Sequence, residues 1–297
     1  MLDEVWQSGN GWAQAVEEGS RLDWSWDGVL FLGSGSSYHL AQVAAWLARR
    51  KGYGAQALPS GEVVLYPEVA GKPQSVVGIS RSGETTELFK AVETLRVPAL
   101  LVTTNPRVEP GQGFERVVVL DRAQEAAIVQ TRSFTSALVL FLTVFLGPEA
   151  TSGLPKLWEQ QAPALWQRAL AWPRAERYFV LGTGPAWGIA QEAALKLKET
   201  ALVQVESFHT LEFRHGPMSM VDEGTAVFLL VPEEGGELER AVGGEVARLG
   251  AQVVEVAYRW NTLPLALVPF QFLAHQLATG RGLDPDQPRH LNYVVRL

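Results

Sequence analysis

Apolar residues fall along this chain in short, bounded runs. Val29-Leu30-Phe31-Leu32 is one such run; it leads into Gly33-Ser34-Gly35-Ser36-Ser37 and then an alanine-rich stretch from Tyr38 to Arg50. A brief apolar run, a glycine turn and a helical stretch predict a βα unit. The pattern returns 149 positions later as Tyr178-Phe179-Val180-Leu181, Gly182-Thr183-Gly184-Pro185 and a helix from Trp187 to Thr200, with Ala41-Gln42 matched by Ala190-Gln191. A second unit repeats as well. Ser75–Ser80 with a helix over Glu87–Val92 is mirrored by Ala226–Val231 with a helix over Glu237–Val242, and a third strand at Ala99–Thr103 by one at Gln252–Val256. Two copies of one α/β domain follow, each alternating strands and helices as a parallel, doubly wound sheet does. Gly147–Pro155, with two glycines and two prolines, is the expected linker, dividing the chain into domains at 1–150 and 151–297.

Length agrees with this division, since 297 residues suit two lobes of about 150 each. A net charge of −7 without a Lys/Arg-rich run excludes a nucleic-acid or anionic-membrane surface, which needs a concentrated basic patch. The absence of cysteine excludes disulfides, thiolate nucleophiles, sulfur-bound zinc and any cysteine-dependent glutaminase. Ala137–Leu146 is too short to span a bilayer and reads as a buried helix, and Met1–Ser20 has no signal-peptide core, so the expected location is cytoplasmic.

The repeat is informative where it fails. The second βα turn of the first copy reads Ser80-Arg81-Ser82-Gly83-Glu84-Thr85-Thr86, with four hydroxyls and a glycine, whereas its counterpart at 231–236 has no hydroxyl and two carboxylates. Free N–H groups at a helix start favour an anion, and short hydroxyl side chains add donors. Ser80, Ser82 and Thr85 are therefore candidate phosphate ligands, with Ser36 and Ser37 at the neighbouring turn, since ligands of open α/β sheets gather outside the carboxyl ends of the strands. The competing reading is that these residues only cap two helices. No lysine follows the glycines as a nucleotide-gripping loop requires.

In the second copy the helix from Gln191 ends in Lys196-Leu197-Lys198-Glu199, and His215 follows sixteen residues later. Proton transfer between sugar carbons needs a carboxylate or imidazole, and ring opening needs a second acid/base group. Glu199 and His215 fit, but Glu206 and Glu212 are equally eligible on spacing alone.

Gly33-Ser-Gly-Ser-Ser, Ile79-Ser-Arg-Ser-Gly-Glu-Thr, Glu192-Ala-Ala-Leu-Lys-Leu-Lys-Glu199, Arg214-His-Gly-Pro-Met and Asp284-Pro-Asp-Gln-Pro-Arg-His-Leu resemble the double sugar isomerase (SIS) domain family along nearly the whole chain. In particular, they resemble the isomerase half of glutamine:fructose-6-phosphate aminotransferase and stand-alone glucosamine-6-phosphate deaminases of that fold. The resemblance implies two tandem SIS lobes, each a parallel sheet flanked by helices in a flavodoxin-like sandwich. It implies phosphate binding by Ser80, Ser82 and Thr85, with Ser37 and Ile128 beside the sugar, and places Arg81 where the aminotransferases carry glutamine. It assigns the isomerisation base to Glu199 and ring opening to His215, donated across a homodimer interface. Two departures matter. The aminotransferases carry an N-terminal glutaminase domain, whereas this chain begins at the sugar-binding part; and the family lysine that forms a Schiff base with the keto sugar is matched here by Tyr293, which cannot form an imine.

The resulting expectation is an enzyme that moves a proton between C1 and C2 of an opened amino sugar phosphate and releases ammonia, a glucosamine-6-phosphate deaminase/isomerase without glutaminase activity. A plain sugar-phosphate isomerase uses the same transfer. A non-catalytic sugar-phosphate sensor is the rival from another class, with Tyr293 in its favour, and deglycation of fructosamine 6-phosphates is a third reading. No cofactor, nucleic-acid or membrane partner is expected. His39, His209, His275 and His290 show no metal-ligand spacing, so no metal site is expected either. The ten tryptophans are scattered and read as core and interface, except that Trp187 is a candidate to fill a vestigial pocket in the second lobe.

Overall fold

The computed structural model describes residues 1–297 and contains nine strands in two sheets. The first sheet holds β1 (Val29–Gly33), β2 (Ala55–Pro59), β3 (Ser75–Ile79), β4 (Ala99–Thr103) and β5 (Arg116–Val119), in the order β2-β1-β3-β4-β5. The second holds β6 (Arg177–Gly182), β7 (Gln204–His209), β8 (Thr225–Pro232) and β9 (Gln252–Tyr258), in the order β7-β6-β8-β9. Every pairing is parallel. In each sheet the first strand lies between the second and the third. β1, β3 and β4 are buried at every position, which is why they read as unbroken apolar runs rather than alternating ones. The edge strands β2, β5 and β7 are half-exposed and mixed in character, and the apolar pattern did not reveal them.

The helices are α1 (Leu2–Trp6), α2 (Ser8–Arg21), α3 (Ser36–Arg50), α4 (Ser60–Leu65), α5 (Thr86–Leu95), α6 (Arg132–Leu146), α7 (Pro148–Thr151), α8 (Leu154–Leu170), α9 (Pro185–Ala201), α10 (Glu237–Arg248) and α11 (Leu263–Gly280). α3 and α9 begin two residues earlier than their apolar pattern indicated, so Ser36 and Ser37 belong to a first helical turn. Gly35 and Gly184 precede these helices with φ of 57° and 56°, a conformation that a side chain disfavours. The expected buried helix at Ala137–Leu146 lies within α6, where Ala137 to Thr143 are all buried. No helix is long and apolar enough to cross a membrane.

The 147–155 stretch is not an extended linker. Gly147 terminates α6 at φ 99°, Pro148 starts α7, and Pro155 sits in the first turn of α8, since proline is tolerated where a helix has no N–H to satisfy. The Thr143 and Thr151 hydroxyls lie 2.8 Å apart, both buried, and close this corner. The core runs across it. Val29, Phe31 and Val77 from the first sheet and Tyr178, Val180 and Phe228 from the second belong to one buried apolar cluster with α6 and α11. Alternate residues of the same strands, Leu30 and Leu32 or Phe179 and Leu181, face smaller outer clusters, as expected for strands sandwiched between helical layers.

Candidate active site

The hydroxyl-rich turn leaves the end of β3 and enters α5. Its backbone is pinned from β4: the Arg81 carbonyl accepts from the Thr103 and Thr104 hydroxyls at 3.0 and 3.2 Å, and Asn105 Nδ2 donates to the Ser82 carbonyl at 2.8 Å. Inside the turn, the Ser80 and Thr85 hydroxyls are 3.0 Å apart, Ser80 Oγ accepts the Gly83 N–H at 3.1 Å, and Ser82 Oγ accepts the Glu84 N–H at 3.2 Å. Neither α3 nor α5 carries a side-chain cap, so capping does not account for the serines. Gly83 has φ 66°, and a Cβ there would meet Val108 Cγ2 at 2.5 Å. Only glycine allows the turn to close this tightly against the loop after β4.

These groups frame a cavity of about 250 Å³ at the carboxyl ends of β1 and β3, lined by Ser36, Ser37, Arg81, Ser82, Thr85, Ile128, Glu199 and Tyr293 together with Ser34, Glu87, Gln130 and Lys196. Ser80 lies beneath it, buried, and acts on Thr85 and Gly83. His215 is not among the lining groups: it is exposed on the turn before Pro217–Met220, beside Arg214, which pairs with Glu245 at 2.7 Å. Glu206 and Glu212, eligible on spacing, are exposed and away from the cavity, and Glu206 is 3.4 Å from Lys198.

The carboxylate side of the cavity is built on α9. Glu192, Lys196 and Glu199 are spaced i, i+4 and i+7, which stacks them on one helix face. Lys196 is fully buried, with Nζ 2.6 Å from Glu199 Oε2, 3.2 Å from Glu192 Oε1, and donating to Ser36 Oγ at 3.1 Å. Burial works against its charge, but Glu192 and Glu199 outweigh that and hold its pKa above the usual lysine value. His39 Nδ1 on α3 lies 3.1 Å from Glu192 Oε2, so the seam between α3 and α9 is polar and hydrogen-bonded. Sequence reasoning gave no site role to Lys196 or Glu192 and read His39 only as a non-ligand histidine. Three charges on one face of an otherwise alanine- and leucine-rich helix were the available signal.

The opposite wall is organised by Arg81. Its Nη1 donates to the Ala127 and Ile128 carbonyls at 2.9 and 2.8 Å, its Nη2 to the Tyr293 carbonyl at 3.2 Å, and its guanidinium carbon lies 4.0 Å from the Tyr293 ring centroid. Glu125 Oε1 is 3.8 Å away. That carboxylate is buried and holds the start of α6, accepting from the Thr131 N–H and hydroxyl at 3.0 and 2.7 Å, from the Arg132 N–H at 3.1 Å, and from the Ser133 hydroxyl. Burial pushes the Glu125 pKa up against the pull of Arg81 and these hydroxyls. The Tyr293 hydroxyl donates to the Glu125 carbonyl at 3.2 Å, and burial raises its pKa further from neutrality, which leaves the phenol protonated and unsuited to act as a base.

Trp187 does not fill a crevice of the second sheet. Its half-buried ring lines a cavity of about 210 Å³ with Tyr38, Gln42 and Trp46 of α3. At the second glycine turn, Thr183 Oγ1 instead donates to Glu239 at 2.6 Å, repeating the 2.8 Å contact of Ser34 with Glu87 in the first half. No group of three His, Cys, Asp or Glu side chains is arranged to hold a metal ion.

Comparison with known proteins bears on the family and the fold. Residues 173–262 match the SIS domain. The glutamine–fructose-6-phosphate aminotransferase [isomerizing] of Pyrobaculum aerophilum is 28% identical over 307 residues, an alignment that takes in 90% of this chain and 51% of that protein. The chain therefore spans about half the length of the curated relatives it matches. A glucosamine-6-phosphate deaminase from Thermotoga maritima superposes with a TM-score of 0.85 at 28% identity, covering 100% of this chain and 99% of that one. The tagatose-6-phosphate ketose/aldose isomerase of Escherichia coli shares the fold with a TM-score of 0.82 at 18% identity, over 96% of this chain and 94% of that one. The resemblance read in the motifs is thus borne out: residues 173–262 carry a SIS domain, and the chain is similar to glutamine–fructose-6-phosphate aminotransferases, to a glucosamine-6-phosphate deaminase and in fold to a phosphosugar isomerase.

Proposed function

We propose that this chain is an enzyme of the phosphosugar isomerase type acting on an amino sugar phosphate, with glucosamine 6-phosphate as its substrate. In this reading it consists of two tandem SIS domains, 1–150 bearing the phosphate cradle and 151–297 bearing the acid/base helix. One observation carries it: Ser37, Ser82, Thr85 and Glu199 line one cavity, although they come from opposite halves of the sequence.

The phosphate rests on Ser82 and Thr85, with Ser80 shaping the turn below them, and the opened sugar extends toward Glu199. Glu199 takes the proton from C2 of the 2-amino aldehyde and delivers it to C1, while the amine loses a proton and the aldehyde oxygen gains one. The product is a 2-imino alcohol. Water adds at C2, ammonia leaves, and a 2-ketose phosphate remains. Lys196 holds the Glu199 carboxylate against α9. His215, exposed and distant from the cavity of its own chain, opens the ring from a second copy. Tyr293 hydrogen-bonds and shapes the wall without forming an imine.

Purified protein incubated with glucosamine 6-phosphate, and separately with glucose 6-phosphate and fructose 6-phosphate, tests this through ammonia release and ketose/aldose interconversion. Ammonia supports the deaminase, interconversion alone leaves a plain isomerase, and binding of either sugar phosphate without turnover leaves a sensor.

A further inference from the structure

Two cavities meet at Tyr293. The inner one, about 250 Å³, is the candidate sugar-phosphate site; the outer one, about 910 Å³, is a groove lined by Phe89, Asn105, Val108 and Phe114, and both are lined by Ser82 and Tyr293. The inner volume lies just below the roughly 300–1,000 Å³ range of ordinary small-molecule pockets, whereas the outer groove lies near its top. The phosphate turn and the C-terminal segment both line the two, with Tyr293 the C-terminal residue common to them. That segment is held down at three points on the phosphate turn or its helix: the Arg81 contacts with Tyr293, the pairing of Arg296 with Glu84 at 3.0 Å, and the Leu297 N–H donating to Thr86 Oγ1 at 2.9 Å. The last two are exposed, so screening and competition from water weaken them. The first is not, because Arg81 is buried and stacks on a half-buried ring, where a desolvated cation–π contact is strongest.

We infer that Tyr293, clamped by Arg81, is the partition that limits the site to a single phosphorylated sugar ring, and that Arg81 is a positioning residue rather than a phosphate ligand. The inference rests on the sugar-phosphate reading of the inner cavity. The guanidinium donates three of its five N–H groups to carbonyls, two in the 127–128 wall and one in the C-terminal segment, so most of its donors are directed at protein, and the residue joins three walls of the cavity. A lysine there keeps the charge but loses both the planar fork and the stack. Removing the ring opens the inner cavity into the groove.

The test compares wild type with Arg81→Lys, Tyr293→Gly and Tyr293→Phe. Calorimetry gives the Kd values of glucose 6-phosphate, trehalose 6-phosphate and inorganic phosphate, and hydrogen exchange over 291–297 is followed in ligand-free protein. Wild type is expected to favour glucose 6-phosphate over its two-ring analogue by at least about tenfold, with that preference collapsing toward unity, and exchange rising about tenfold, in Arg81→Lys and Tyr293→Gly. Tyr293→Phe, which keeps the stacked ring, retains the preference. Unchanged preference and exchange in both disrupted variants would overturn the inference. So would an Arg81→Lys protein that loses inorganic phosphate binding as completely as glucose 6-phosphate binding, the behaviour of a direct ligand. If wild type binds neither sugar phosphate, the functional reading fails, and unchanged exchange in the two variants then removes the clamp as well.

Discussion

Lys196 Nζ sits 2.6 Å from the Glu199 carboxylate and donates to Ser36 Oγ, 160 residues away in sequence, at 3.1 Å. One buried ammonium thereby ties the proposed base to the first turn of α3 and to the hydroxyl wall of the cavity.

Replacing Lys196 with Met leaves Glu192, which is fully buried, without its cation. Removing one partner of a buried ion pair costs about 3–5 kcal/mol. The variant is expected to lose that much stability in urea unfolding; a loss under about 1 kcal/mol would show that Glu192 finds other compensation or protonates.

Glu199→Gln keeps the size and one acceptor of the side chain while removing its basicity. Turnover of glucosamine 6-phosphate is expected to fall by at least about 10³-fold, within the range of a lost general base, with Kd for fructose 6-phosphate little changed. Retained activity would place the base elsewhere.

Ser82→Ala and Thr85→Val each remove a hydroxyl from the proposed phosphate cradle. A hydrogen bond to a charged group contributes about 1.5–3 kcal/mol, so each is expected to weaken fructose 6-phosphate binding by about 10–100-fold. Binding titrations check this, and equal binding by the variants and wild type would argue against phosphate at this turn.

If His215 reaches the site from a second copy, mixing two inactive variants restores activity. In a Glu199→Gln/His215→Ala mixed dimer one site keeps both groups, so refolding an equimolar mixture is expected to recover about one quarter of wild-type activity, as random pairing in a twofold dimer requires. No recovery would mean that His215 acts within its own chain or not at all.

Burial raises the Glu125 pKa above its ordinary 4.5. An acid raised in the folded state binds protons more readily there than when unfolded, so its contribution to stability is fully present below pH 4.5 and is lost as pH rises through the folded value. Relative to Glu125→Gln, which does not titrate, wild type is expected to gain stability as pH falls from neutral toward 4.5. Thermal unfolding of both proteins across that range checks the sign, and an opposite tilt would mean that Arg81 and the α6 N–H groups outweigh burial.

The inner strands and the glycine turns of the two halves were determined by the sequence itself. β1, β3, β4 and β8 are apolar but for a Ser or Thr at one end of the last three, because both of their faces are buried, and Gly35 and Gly184 mark left-handed turns that other residues resist. The hydroxyl turn at 80–86 was equally legible, since its residues are contiguous and its function is local. What only the tertiary structure decided is which distant groups meet. The motif Glu192-x-x-x-Lys196-x-x-Glu199 shows three charges on one helix face, but their burial depends on α9 docking against α3. Arg81 belongs to the hydroxyl-rich turn in sequence, and only the fold shows its side chain turned toward 127, 128 and Tyr293. Glycines and prolines at 147–155 suggest a linker, yet that corner is largely helical and anchored by buried Thr151 and Leu154, because the two sheets share one apolar core. Local periodicity encodes elements, whereas ion pairs between residues more than a hundred positions apart follow from the packing of those elements and leave no periodic trace in the chain.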